Sequence, residues 1–310
     1  MQDVVLHFTV SRNSIPYFRY AAAQSVRLSA NPDQVKIYVY CLDLSSYIYL
    51  SRKTQYRVFR LEKSRGSIGH ARALDFAMSQ FLENSVNVLA DTDAVIVAKN
   101  WDVLLRNVVL KSGIQLFGTQ LEGIGGFSSG ITLHQQYKKL PSTTWLMFSP
   151  NLDTSGLSMI PNKESDVAIV TEVESKIYQL PIGYFLARDT GWQIPQFIHD
   201  KDIKHDVLEI VKPSSIKCRV LKETSDYHDE FHYIGEPFLV HQRGSMRHLY
   251  RISSFSRDFY QATDRFLKTS ENDWKMTQSE FLLISPELIK EKIKASRSIL
   301  RSIVKQDSKE

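Results

Sequence analysis

The chain has 310 residues, 43% of them hydrophobic, enough apolar material for one large α/β domain or two modest ones, which excludes a disordered chain. No uninterrupted apolar stretch approaches the ~18 residues that cross a bilayer. The N-terminus shows no charged-then-apolar leader pattern, so a cytoplasmic protein is expected. The two cysteines, Cys41 and Cys218, lie too far apart to suggest a disulfide framework or a zinc site. A net charge of +5 suits an anionic ligand, and with no finger, homeodomain or single-strand-binding pattern present it does not point to nucleic acid.

An apolar, β-branched run from Val4 to Val10 reads as the first strand and is closed by Ser11-Arg12-Asn13. Ser14-Ile15-Pro16 supplies a cap-like residue and an early proline. Phe18, Ala22, Ser25 and Val26 then share one face of a helix that Asn31-Pro32-Asp33 stops. Residues 35–42 form the second strand, with Asp43 at its carboxyl end; the competing reading of Asp43 is a turn aspartate. Residues 56–61 give a third strand. A loop at residues 64–69 leads into a helix from His70 to Leu82, whose buried stripe is Leu74, Ala77, Met78 and Phe81.

Strand, helix, strand, strand, helix and strand within ninety residues is the rhythm of a parallel sheet with crossover helices. The first strand is not followed by Gly-x-Gly-x-x-Gly, which disfavours a dinucleotide-dependent oxidoreductase. The next strand is the stretch that matters most. Val86-Asn87-Val88-Leu89-Ala90 runs straight into Asp91-Thr92-Asp93, and Ala94-Val95-Ile96 follows. Two carboxylates one residue apart at a strand's carboxyl edge can hold a divalent cation against a phosphate. An Asp-x-Asp match arises easily among 34 acidic residues, and Asp200-Lys201-Asp202 also matches, but no apolar strand delivers that second pair.

Residues 101–110 read as a helix and residues 114–118 as a further strand. Residues 122–130 carry four of the chain's 13 glycines, in a loop that either approaches a ligand or is a surface turn. Trp145 is a candidate sugar platform, although aromatic residues in such runs more often fill a core. Asp189 stands beside Gly191 and Trp192 as either a base next to a stacking ring or a capping residue. Late in the chain, Phe238-Leu239-Val240 delivers His241, with Arg243 and Arg247 around Gly244-Ser245. Imidazole can complete a metal site begun by carboxylates, and arginines suit phosphate oxygens. After residue 252 charge rises and strand signals fade. A basic amphipathic helix beginning at Ser285-Pro286-Glu287 fits either packing on the main domain or contact with an anionic membrane surface.

These pieces together resemble the GT-A glycosyltransferases, which use nucleotide-sugar donors. The resemblance is carried by Thr9-Val10-Ser11 at the end of the first strand, the segment from Gly66 to Leu74, the Asp91-Thr92-Asp93 motif and the late His241, and it covers about residues 4–250. It implies a GT-A, Rossmann-like, mostly parallel central sheet flanked by helices. Residues 1–252 would form the glycosyltransferase domain, with a nucleotide-sugar-binding half at 1–118 and an acceptor-binding half at 119–252. Residues 253–310 would be a helical extension. By the same resemblance Asp93 binds Mn²⁺ or Mg²⁺, Asp91 supports metal and ribose, and His241 completes the metal site. Thr9, Ser11 and Asp43 would contact the nucleoside, Arg65, His70 and Arg72 the base, ribose or diphosphate, and Thr92 and Arg243 the bound nucleotide.

The implied reaction is metal-dependent transfer of a sugar from a UDP- or GDP-type donor to a glycan or lipid-linked glycan, in surface polysaccharide or glycan synthesis. No second nucleophile stands out, so inversion is expected, with Asp189 as base and Asp153 in reserve. The Glu-Asp pair that often supplies the base in processive members is missing, which argues against a processive synthase. Two alternatives share the fold type: a catalytically silent nucleotide- or glycan-binding protein, and a sugar nucleotidyltransferase. The latter usually has a glycine-rich loop after the first strand, where this chain has Ser11-Arg12-Asn13-Ser14.

Overall fold

A computed structural model describes residues 3–61, 66–121, 140–150, 152–161, 168–169, 172–178, 185–186, 190–211, 217–221, 228–242 and 253–269. In chain order it contains β1 (Val4–Val10), α1 (Ile15–Arg27), β2 (Val35–Cys41), α2 (Leu44–Leu50), β3 (Arg57–Arg60), α3 (Gly66–Met78), β4 (Val86–Ala90) and β5 (Ala94–Ile96). Then come α4 (Trp101–Ser112), β6 (Leu116–Gln120), β7 (Pro141–Phe148), β8 (Ala168–Ile169), α5 (Glu172–Tyr178), β9 (Phe185–Leu186) and α6 (Ile194–Asp200). The last described elements are β10 (His205–Val211), β11 (His228–Tyr233), β12 (Glu236–Gln242) and α7 (Ser253–Thr269).

Every residue of β1 and β4 is buried, as expected of strands covered on both faces. Period-two alternation divides them between two cores. Val4, Leu6, Phe8 and Val10 pack with α1, α4 and α7 on one side of the sheet, while Val5 and Leu89 face α3 and α6 on the other. Helix, sheet and helix therefore form three layers, a mixed α/β fold with a large central sheet flanked by helices.

Ten strands run in the order β3-β2-β1-β4-β7-β6-β10-β11-β12-β5, and β8 and β9 form a separate pair. The first four are mutually parallel. Beyond β4, among the described residues, β6 pairs with β10 in parallel and the other pairings are antiparallel. The expectation of a mostly parallel sheet thus holds for the N-terminal half and not for the rest. Hairpin-like returns replace crossover helices there, which the sequence rhythm of the first ninety residues does not foretell.

Two features of this order position the site. The chain winds outward from β1 to β3, then crosses back to place β4 on the other side of β1, so a topological switch point lies between β1 and β4. In addition, β4 and β5 are separated by three residues in sequence yet stand at opposite ends of the run β4-β7-β6-β10-β11-β12-β5. The strands curl until the end of the run meets its beginning, and the link that joins them is Asp91-Thr92-Asp93.

Local chemistry explains the departures from the expected elements. Asp43 caps α2, a helix absent from the sequence reading: its Oδ1 accepts the Ser46 backbone N–H at 2.8 Å. Helix α3 starts at Gly66 rather than His70, because burial of Ala71, Leu74 and Ala77 outweighs the poor helix propensity of its glycines. It ends at Met78 rather than Leu82. The Asn87 side chain there accepts the Leu82 N–H and donates to the Leu82 carbonyl, both at 3.1 Å, diverting the backbone from the helix.

Trp145 is in the core at 1% exposure, its ring edge-on to Phe117 and Phe238, so it offers no face to a sugar. Asp200 ends α6 and accepts a bond from Gln196, while Asp202 occupies a turn with φ of 49°, so no strand delivers that pair. Both cysteines are buried and free. No described helix is long and apolar enough to cross a membrane. The glycine-rich segment 122–130 and the basic segment beginning at Ser285 lie outside the described residues.

Candidate metal centre

The strand β4 ends at Ala90, but its pairing continues one residue further, since the Asp91 N–H donates to the Thr144 carbonyl at 2.9 Å. The Ala94 N–H then returns to the Asp91 carbonyl at 3.2 Å, closing a tight turn that starts β5. Thr92 and Asp93 are buried within that turn and the Asp91 side chain is about a quarter exposed. On the facing strand the Gln242 N–H donates to the Asp93 carbonyl at 3.2 Å, which fixes β12 against the turn. His241 pairs with Ala94 on one side and with Asp229 of β11 on the other. The β4–β5 turn and the β11–β12 hairpin, far apart in sequence, therefore bring three carboxylates and an imidazole together.

One ligand atom from each of Asp91, Asp93 and His241 lies within 4.8 Å of the others. His241 Nε2 is 3.5 Å from Asp93 Oδ1, and its Nδ1 is 3.6 Å from Asp229 Oδ2. On the other flank His70 Nε2 is 3.5 Å from Asp91 Oδ1, while His70 Nδ1 shares a 3.1 Å hydrogen bond with the Thr9 hydroxyl of β1. Each motif carboxylate is thus faced by a histidine, and the Thr9–His70–Asp91 line bridges the switch point between β1 and β4.

The electrostatics follow from this crowding. Burial pushes the Asp91 carboxyl up to about 6; His70 opposes the shift, the like charge of Asp93 adds to it, and His241 opposes it in turn. For His241 burial alone would favour the neutral ring. The attraction of Asp93 and Asp229 outweighs burial, and the imidazole is raised to about 10. The protonated ring is consequently a cation held between two carboxylates, a position a metal ion would contest by releasing its proton.

The donor set fits a divalent ion. Two hard carboxylate oxygens and one borderline nitrogen suit Mn²⁺ or Mg²⁺. Oxygen ligands stand about 2.1 Å from Mg²⁺, so opposite ligands are about 4.2 Å apart, close to the span these donor atoms already occupy. Three protein ligands also leave positions for oxygens of a bound anion.

Several expected contacts lie near this centre and others have separate structural work. Thr9 is buried and bonded to His70, and Thr92 lies inside the turn. Arg72 is exposed on α3. Ser11 joins a local capping arrangement with Ser14, whose Oγ accepts the Ser11 N–H at 2.9 Å. Besides capping α2, Asp43 accepts the Arg12 N–H at 2.6 Å, which ties the loop after β1 to the end of β2. Asp153 lies on an exposed loop, bound to Lys201 at 2.7 Å and to Ser155. Arg65, Asp189 and Arg243 lie outside the described residues.

The sequence reading missed Asp229, which is 3% exposed. Its signal is nonetheless present: His228-Asp229-Glu230-Phe231-His232-Tyr233 is short, bounded and strand-like, yet four of its six residues are histidines or carboxylates. All four are buried. Charge in a buried strand needs partners. Glu230 has them, accepting the backbone N–H groups of Arg219, Val220 and Leu221, the Cys218 thiol and His232 Nε2. Despite burial these donors hold its carboxyl below the usual range.

No protein-family model and no curated protein matches the sequence. Solved structures with related backbones include the mannosyltransferase PcManGT from Pyrobaculum calidifontis in complex with GDP-Man and Mn²⁺. It is 11% identical over 47% of this chain and 44% of that one, with a TM-score of 0.34. Residues 1–349 of TarS from S. aureus are 12% identical over 96% of this chain and 73% of that one, with a TM-score of 0.41. The glycosyltransferase GlyE from Streptococcus pneumoniae is 14% identical over 67% and 45% in its apo form, with a TM-score of 0.32. The chain spans less than half the length of the first and third. These likenesses are loose.

Proposed function

We propose that the chain is a metal-dependent glycosyltransferase that moves a sugar from a nucleoside-diphosphate sugar to a hydroxyl acceptor, a glycan or lipid-linked glycan. The observation that carries this reading is the convergence of Asp91, Asp93 and His241 within 4.8 Å at a turn beside the topological switch point. Asp93 and His241 would hold Mn²⁺ or Mg²⁺, with Asp91 supporting the ion and the ribose. Such an ion, when bound, neutralises charge on a departing diphosphate.

The remaining roles belong to the chain's own groups. Thr9 fixes His70, and His70 turns its other nitrogen to Asp91, so the β1 side of the site sets the position of the Asp91 carboxylate. Arg243, two residues past His241, would add a cation for phosphate oxygens. Inversion needs one carboxylate to take the acceptor proton. Asp153 is engaged by Lys201 and Ser155 on an exposed loop, and Asp189, beside Gly191 and Trp192 in the sequence, is the nominee.

The test is isothermal titration of UDP and of GDP with Mn²⁺ present and absent, on wild type and Asp93→Ala. Metal-dependent binding of one nucleotide, weakened at least tenfold in the variant, is the expected result. Binding that ignores both the metal and the substitution would overturn the metal-diphosphate reading.

A further inference from the structure

We propose that Asp229 is a positioning residue that holds His241 as a metal ligand through Nε2. The inference rests on the reading that Asp91, Asp93 and His241 bind a divalent ion, and it adds a residue outside the Asp-x-Asp motif.

Asp229 and His241 are directly opposed in the β11–β12 ladder, so their side chains leave the same face of the sheet as neighbours. Asp229 Oδ2 is 3.6 Å from His241 Nδ1, a separation that a small side-chain rotation closes to hydrogen-bond length. The other ring nitrogen, Nε2, faces Asp93 at 3.5 Å. The imidazole therefore has two carboxylates at its two nitrogens, and they are not equivalent. Asp93 belongs to the three-residue cluster that can surround an ion, whereas Asp229 lies behind the ring.

A neutral imidazole that donates its Nδ1–H to a carboxylate must keep its lone pair on Nε2. That lone pair points to the cluster, and the carboxylate behind it strengthens nitrogen as a donor. The scaffold supports this arrangement. The next residue, Glu230, projects to the other face of β11, where three backbone donors, a thiol and an imidazole fix it. A strand pinned on one face holds the carboxylate on its other face in register with His241.

The experiment measures Mn²⁺ binding to the full chain without nucleotide, from the paramagnetic resonance signal of the free ion, with nitrogen coupling to bound Mn²⁺ read by pulsed methods. Asp229→Asn should bind Mn²⁺ about 10- to 100-fold more weakly than wild type. His241→Ala should abolish the imidazole nitrogen coupling, and adding Asp229→Asn to it should cause no further loss of affinity, because the two residues act as one unit. Asp229→Glu, which keeps the charge, should stay nearer to wild type and serves if the Asn variant folds poorly.

Affinity within twofold of wild type in Asp229→Asn, or a full additive loss on top of His241→Ala, would overturn the positioning role and leave the metal site standing. Failure of wild type itself to bind Mn²⁺ would overturn both.

Discussion

His7 stands in the middle of β1 with no exposure to solvent, its Nδ1 at 2.8 Å from the Tyr40 hydroxyl and its Nε2 at 3.1 Å from Asn87 Oδ1. Burial drives its pKa down from 6.5 to about 4, against the opposing hydrogen bond that Asn87 Oδ1 accepts from the ring. The folded protein therefore keeps this ring neutral where the unfolded chain takes up a proton. Stability from this source is complete above pH 6.5 and drains away as pH falls to about 4, since over that interval the unfolded state binds more protons. A shift of this size corresponds to roughly 3 kcal/mol. The difference in unfolding free energy between wild type and His7→Gln, measured by urea titration at several pH values, should shrink across that window; a difference independent of pH would refute the assignment. The same scale decides how much of the site could be read in advance. That Asp91, Asp93 and His241 come together is legible in part because Asp91 and His241 each end an apolar run and Asp93 stands just before another. Asp229 is not, because its role comes from the residue opposite it on another strand.

Among the elements, α4 is fixed by a buried charged clamp rather than by apolar packing alone. Asp102 has a side chain with no exposure and accepts the Ala30 N–H at 2.8 Å, the Asn31 N–H at 3.2 Å, Asn31 Nδ2 at 3.0 Å and Arg106 Nη1 at 2.8 Å. Arg106 also reaches Gln34 at 2.9 Å, so the first turn of α4 grips the whole connection between α1 and β2. Burial would raise the Asp102 carboxyl, but its donors overcome that and hold it down to about 2. The stability it contributes is present above its ordinary value near 3.8 and is lost as pH falls through 2. Asp102→Ala takes the carboxylate away from the buried Arg106 guanidinium and from the Ala30 and Asn31 donors, a change expected to cost about 3–5 kcal/mol. Chemical denaturation at neutral pH checks this, and a loss below ~1 kcal/mol would mean that water replaces the carboxylate at no great penalty. Elements of this kind also mark the limit of pattern reading. The strands β1, β2 and β4 were legible from their apolar runs, whereas α2 was missed although Asp43 marks its start, because a seven-residue helix shows too little periodicity.

For the molecule as a whole, the decisive fact is that β4 and β5 are neighbours in sequence but terminate opposite ends of a curled run of strands. Sequence rhythm gives parallel crossovers in the first ninety residues. It cannot give the return through β10, β11 and β12 to β5, because the pairings of β6 with β10 and of β12 with β5 join segments far apart in sequence and leave no periodic trace. That return carries His241 to the Asp91-Thr92-Asp93 turn. A bound ion would accordingly tie β12 to the turn across the closure, adding to the β5 pairing and the Gln242-to-Asp93 bond that hold the two ends. Binding to the folded state alone stabilises it by about 2.7 kcal/mol at a concentration one hundred times the dissociation constant. Local openings that separate the ligands must overcome that added term, while openings elsewhere need not. Saturating Mn²⁺ should therefore slow amide exchange most at Val95, Ile96 and Val240, on either side of the closure, and leave β3 at the far edge nearly unchanged. Asp93→Ala should remove the effect. Equal slowing at β3 and β5 would show that the ion acts on global unfolding rather than on the seam, and the picture of a metal-fastened closure would then fail.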